Sequence, residues 1–302
     1  MDRRHFLKTL GIGASAAMAG IPLMALRDAG VRRVRILHTN DTHSRIDPFP
    51  GNDPRYPAMG GYARRASMIR AYREEDPGLV LLDAGDIFQG TPYYNLYGGE
   101  PELRLMSKMG YDAAAFGNHE FDNGLEGFAA VRPFAAFPFL AANYDFSQTV
   151  LADKVESHML LNRNGLKIGI YGLGIKPSGL VGRSLYGDTK YIDPIEVARE
   201  QEQVLHSRHR CDLIICLSHL GYEYRDDRIG DTMVASHTKH TDIIIGGHTH
   251  RLLDPPATAI NENGQTVYIG QAGSGGVHMG CMDVMVIPIS NEKLVDSNTT
   301  NI

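Results

Sequence analysis

Short apolar runs alternate with amphipathic stretches along most of this 302-residue chain. The runs at 34–38, 79–82, 113–116, 167–171, 213–217, 243–245, 267–269 and 282–289 are rich in Val, Ile and Leu, and they predict buried strands. Helical spacing between them predicts helices at 61–75, 100–109, 124–131, 194–209 and 229–240. The 194–209 segment is the clearest. Asp193-Pro194 supplies a cap and first turn, and Ile195, Ala198 and Leu205 fall on one side. Strands that alternate with helices argue for a layered α/β fold. The Gly/Pro-rich stretch 47–61 reads as an exposed loop, and the chain shows no internal repeat.

The residues just past each strand are more informative than the strands themselves. The first run leads into "TNDTH" with Asp41 and His43, and the second into "DAGD" with Asp86. The third leads into "GNHEFD" with Asn118, His119 and Asp122. Later runs lead into "SHLG" with His219 and into "GGHTH" with His248 and His250. Each motif alone is weak, because an Asp or His after a strand is usually a turn residue. Five in succession at strand carboxyl ends, where open α/β sheets bind ligands, are hard to ascribe to chance. Mixed oxygen and imidazole donors without cysteine suit Zn²⁺, Mn²⁺ or Fe²⁺.

Composition narrows the field further. A net charge of −5 with no basic block leaves no electrostatic footprint for a nucleic-acid polymer. A small anionic substrate would need local positive charge, which bound metal supplies. Cys211, Cys216 and Cys281 are odd in number and sit on or near apolar runs, so buried thiols are expected in place of a disulfide framework. Residues 1–26 read as a targeting segment outside the fold. A basic start, a Gly/Ala-rich apolar stretch and small residues near Ala25 fit an export signal, and no other run is long enough to span a bilayer. Arg3-Arg4-His5-Phe6-Leu7-Lys8 resembles the twin-arginine signal, which implies passage through that translocation machinery after folding and a periplasmic or secreted location.

The constellation "ILHTNDTHSRI", "LLDAGDIFQGTP", "AFGNHEFDNG", "AANY", "LSHLG", "IIIGGHTH" and "QAGSGGVHMG" resembles the calcineurin-like binuclear metallophosphatases. Its closer likeness is to the catalytic domain of the 5'-nucleotidase family. The resemblance implies a four-layer αββα sandwich of two mixed sheets flanked by helices, occupying residues 31–295. It further implies two divalent ions. Asp41, His43, Asp86 and His250 would hold the first, and Asp86, Asn118, His219 and His248 the second, with Asp86 bridging. His119 matches the family's catalytic histidine and Asp122 its carboxylate partner. Such a pair of ions, about 3.5–4 Å apart, favours in-line displacement at phosphorus by a metal-bridging hydroxide. His119 would stay off the metals and protonate the leaving oxygen, with Asp122 fixing its tautomer and raising its pKa.

The implied activity is hydrolysis of small phosphate monoesters, including 5'-nucleotides. Two other readings compete with it: hydrolysis of cyclic, diester or sulfur esters on the same scaffold, and a non-catalytic metal-binding module. The last is disfavoured because no ligand position and no His119 is lost. Two-domain nucleotidases clamp the nucleobase in a C-terminal domain, for which a chain ending at Ile302, some dozen residues past its expected last strand, leaves no room. Phe88, Tyr93, Tyr94 and Tyr97 either offer a stacking surface or pack as loop core. His38 is expected to be a buried support, and His206, His209, His237 and His240 to be solvated. His278, in "SGGVHMG", is a weaker candidate for the site.

Overall fold

The computed structural model describes residues 31–287 and 292–302, so residues 1–26, expected above to be a targeting segment, lie outside the described residues. In chain order the strands are β1 (Arg32–Thr39), β2 (Val80–Asp83), β3 (Ala113–Ala115), β4 (Phe139–Leu140), β5 (Tyr144–Asp145), β6 (His158–Arg163) and β7 (Leu166–Gly174). They continue with β8 (Lys190–Tyr191), β9 (Leu213–His219), β10 (Ile243–Gly246), β11 (Ala257–Ile260), β12 (Thr266–Gly270), β13 (His278–Ile287) and β14 (Glu292–Asn301). One sheet has the order β14-β13-β1-β2-β3-β4, a second β11-β12-β10-β9-β7-β6, and β5 pairs with β8 apart from both. Both large sheets are mixed. β1 to β4 run parallel with an antiparallel β13–β14 pair on one edge. The core of the second sheet is parallel, and its two outer strands, β6 and β11, are antiparallel.

The apolar runs explain the layering. In β9, Leu213, Ile215 and Leu217 pack into the core between the sheets, while Ile214 and Cys216 point to the opposite face. Val34 and Ile36 of β1 face the same inter-sheet core, and Leu37 faces the outer one. Strands buried on both faces therefore read as continuous apolar runs. Helices Tyr62–Glu75 and Glu100–Met109 cover the first sheet, and helices Pro194–Gln203 and Asp231–Ser236 cover the second. The result is the four-layer αββα sandwich. The two sheets come close where Gly172 of β7 passes β4: a Cβ there would lie 2.2 Å from the Leu140 carbonyl oxygen.

Several expectations need correction. The helix expected at 194–209 ends at Gln203 and continues as one wide π turn, Val204–Arg208. That at 229–240 shortens to Asp231–Ser236. The strand expected at 282–289 begins four residues earlier, at His278, and its last two residues lie outside the described residues. The sheet does not end there. β14 escapes the apolar pattern because "EKLVDSNTTN" is a polar edge strand with a half-exposed face and only Leu294 and Val295 as apolar markers. Its ten-residue pairing with β13 runs on past residue 295. Cys216 and Cys281 are buried free thiols, whereas Cys211 is half-buried.

Candidate metal centre

Because β1, β2 and β3 run parallel, their carboxyl ends lie side by side. The turns after them carry Asp41, Asp86 and Asn118. β9 ends on His219, and β10 leads through Gly247 into His248 and His250. The structure brings these side chains and His43 together at one edge of the sandwich. The ligating atoms of Asp41, His43 and His250 lie within 4.8 Å of one another, as do those of Asp86, His219 and His248. Asn118 Oδ1 sits 2.9 Å from His248 Nδ1, joining the second group. Asp41, Asp86, Asn118 and His219 are buried on the floor, while His43 and His248 are half-buried and His250 is exposed.

The turns that aim these groups are strained. Asp41 (φ 48°), His43 (46°), Asp86 (55°), His248 (70°) and His250 (54°) all occupy the left-handed region. This backbone costs a non-glycine residue about 1–2 kcal/mol. Five such residues in one cleft show that the fold overrides local preference to point side chains inward. Gly117 serves the same end, since a Cβ there would lie 2.3 Å from Asp86 Oδ1.

The donors fit a cation. His219 Nδ1 donates to the Ala84 carbonyl at 2.6 Å, so a neutral ring carries its lone pair on Nε2. That atom is buried, has no hydrogen-bond partner, and faces Asp86 Oδ2 at 3.0 Å. Two acceptors pressed together in a buried space require positive charge between them. With only a proton available, burial would lower the His219 pKa, but the Asp86 carboxylate outweighs it and pushes the ring up to about 10. Burial also opposes the charge on Asp86, yet His219, His119 and His43 hold that carboxylate below its ordinary range. Burial lowers His43, and burial with His219 pushes His248 down to about 4, which favours the neutral imidazole a metal needs.

His119 stands at the lip of this cluster. Its backbone N–H donates to Asp86 Oδ1 at 2.9 Å, and its Nδ1 lies 2.8 Å from Asp122 Oδ2. Burial pulls its pKa down, but the bond to Asp122 and the charge of Asp86 prevail and raise it. The ring stands edge-on to His43 at 5.3 Å, and His119 also falls within ligating reach of His43 and Asp86.

Two residues inside the quoted motifs hold the site, although neither stands out in the sequence. Glu120 is buried, and its carboxylate accepts from the backbone N–H groups of Asp86 (3.0 Å), Ile87 (2.9 Å) and Gly117 (2.7 Å), tying the second and third turns together. Asn40 is also buried. It donates to Asp41 Oδ2 and the Gly273 carbonyl and accepts from the Ala272 N–H. Their signal in the sequence is position: each is a polar neighbour of a ligand in a turn after a buried strand.

Other candidates fall away from the site. Phe88 and Tyr94 stack on each other in the core at 5.3 Å, so the loop-core reading holds for them. Tyr93 bonds Asp47, and Tyr97 is exposed. His38 is buried between Gly270 and Gly280, with burial pushing its pKa down to about 4. His278 is half-buried against Tyr56 and belongs to none of the ligating groups. His206 and His237 are exposed, while His209 and His240 are half-buried, and His206 stacks on His240 at 3.8 Å.

An α/β sandwich that gathers carboxylates, an amide and imidazoles at its strand ends defines a class, the metal-dependent hydrolases. The chain belongs to the calcineurin-like phosphoesterase family, whose pattern matches residues 34–252. It is 32% identical over 278 residues to a snake venom 5'-nucleotidase from Gloydius brevicauda, covering 85% of this chain and 46% of that protein. It therefore spans less than half of that relative's length. Among solved structures it resembles a 5'-nucleotidase precursor from Thermus thermophilus, with TM-score 0.81, 29% identity, and 89% of this chain and 54% of the other covered. It also resembles the calcineurin-like phosphoesterase YfkN from Bacillus subtilis, with TM-score 0.73, 26% identity, and 89% and 90% covered.

Proposed function

We propose that this protein is a divalent-metal-dependent phosphomonoesterase that acts on nucleoside 5'-monophosphates. The observation that carries the reading is the meeting of the Asp41–His43–His250 and Asp86–His219–His248 groups beside a His119–Asp122 pair. The 5'-nucleotidases among its relatives support the substrate class.

Asp41, His43, Asp86 and His250 would hold one ion, and Asp86, Asn118, His219 and His248 the other. Zn²⁺, Mn²⁺ or Fe²⁺ suits these donors, and when bound the ions supply positive charge to the phosphoryl oxygens and activate water. The chain's own part is orientation and proton transfer. Asp86 sets the His119 backbone through Oδ1, and Asp122 anchors Nδ1, which leaves Nε2 to carry the proton given to the departing oxygen. The Asp122 bond and the Asp86 charge raise the His119 pKa, which favours the protonated ring.

The test is hydrolysis before and after chelation and reloading with each ion, followed as phosphate release from nucleoside monophosphates and alkyl and aryl monoesters, and as monoester formation from cyclic nucleotides and a diester. Monoesters should turn over fastest, and chelation should abolish release reversibly. Failure of every reloaded form on monoesters, or a faster diester, would overturn the reading.

The resemblance of Arg3–Lys8 to a twin-arginine signal extends the proposal to location. No helix among the described residues is long and apolar enough to cross a membrane. Replacing Arg3 and Arg4 together by Lys should leave folded, metal-loaded precursor in the cytoplasm. Fractionation that finds the variant exported normally would show that the arginine pair plays no such part.

A further inference from the structure

A cavity of about 770 Å³ opens beside the metal centre, with His248 as part of its wall. Its other walls come from three neighbouring segments: the loop after β7, the loop after β9, and the β8 strand leading into the Pro194–Gln203 helix. It therefore shares His248 and the β9 end with the site. Its volume falls within the range of about 300–1,000 Å³ typical of small-molecule pockets.

The lining is partly aromatic and partly charged. Tyr191 and Tyr224 are half-buried in it, and Leu180 is half-exposed at its mouth. Tyr224 is fixed by its hydroxyl, which donates to the Leu220 carbonyl at 2.7 Å, and the Arg228 guanidinium lies over its ring at 4.0 Å. Arg228 is in turn held by Asp226 at 2.9 Å, so the ring and guanidinium form a preset stack. Asp193 is committed to capping its helix through Ile195 and Glu196. Among the described residues, neither Lys176 nor Asp227 has an ion-pair partner, so both are available to a ligand.

The geometry points to this cavity as the seat of the nucleoside half of the substrate, with the phosphoryl group at the metals and the base against the Tyr224–Arg228 stack. This rests on the nucleotide reading above. Aromatic rings and guanidinium planes are the surfaces on which bases stack, with little dependence on which base. A free carboxylate, Asp227, suits ribose hydroxyl donors, and Lys176 suits ring acceptors. Phosphate alone would make no use of the aromatic stack or of a carboxylate.

The experiment compares adenosine 5'-monophosphate with glycerol 3-phosphate. Both expel a primary alkoxide, so the ratio of their kcat/KM values reports recognition of the nucleoside and not leaving-group chemistry. Tyr224→Ala should lower that ratio by about 5- to 100-fold, the scale of one base–aromatic stack. Tyr224→Phe, which keeps the ring, should restore most of it. An unchanged ratio, or equal loss on both esters, would overturn the assignment. If Tyr224→Ala does not fold, inhibition of the wild-type enzyme decides. Adenosine should compete with adenosine 5'-monophosphate while glycerol does not, and absence of inhibition at saturating adenosine would overturn the proposal. Should the protein hydrolyse neither ester, calorimetry with adenosine on metal-loaded protein tests the cavity independently, and absence of binding overturns it. Failure of phosphoesterase activity and failure of the cavity are thus separate results.

Discussion

His119→Ala should fold, keep its full metal content, and lose about 10²–10⁴-fold in kcat on an alkyl phosphate, the usual contribution of a general acid. An aryl phosphate, whose leaving group needs little protonation, should lose far less. The geometry makes this variant informative, because His119 lies at the lip of the cluster and within ligating reach of His43 and Asp86. Metal analysis separates the two roles: a ligand would take an ion with it, and an acid would not. Asp122→Asn should give a smaller loss of the same kind. It also carries a pH signature, because the Asp122 bond raises the His119 pKa. Activity that needs protonated His119 falls as pH rises through that pKa. Weakening the bond lowers the pKa, so the alkaline fall should begin at lower pH in Asp122→Asn. A shift the other way, or equal losses on both leaving groups, would mean that the roles are misassigned.

Asp86→Ala should lose both ions and reduce monoester hydrolysis by about 10³-fold or more, since metal charge stabilisation is worth several kcal/mol. Asp86 joins the two halves of the site. Its Oδ2 faces His219, and its Oδ1 accepts from the His119 backbone, so its removal also frees the acid from its setting. His250→Ala, at the exposed end of the other group, should chiefly weaken one ion. Stoichiometry by elemental analysis checks both variants. If each lost the same single ion, Asp86 would not be the shared ligand.

How far the sequence leads can be judged element by element. The strands that carry the site are legible because most of their residues are buried and apolar, and the few polar positions in them do not break the run. β6, β11 and β14 are not legible. Each lies at or near a sheet edge with one face in solvent, and a polar edge strand such as 292–301 looks like loop until its partner is known. The candidate ligands are legible through their place after successive strands. Glu120 and Asn40 do not stand out, since the same letters in a turn usually bond only solvent or their own backbone. Only the close packing of the turns after β2 and β3 gives the Glu120 carboxylate its three N–H donors.

The sequence by itself therefore determined the layered class, the types of the candidate ligands and the end of the sheet on which they gather, because local order along the chain encodes both strand burial and the turn that succeeds each strand. Tertiary structure alone decided how closely the candidate ligands approach one another. Asp41 meets His250 across 209 positions of sequence at 3.3 Å, and His219 meets Asp86 across 133, only because two sheets pack face to face. It also decided the left-handed turns that aim five of these residues, and the cavity beside His248. The physical reason is common to all three. Strained backbone, opposed acceptors and shared walls are each unfavourable or undefined within a local segment, and only the burial of two apolar sheets against one another supplies the free energy to hold them together.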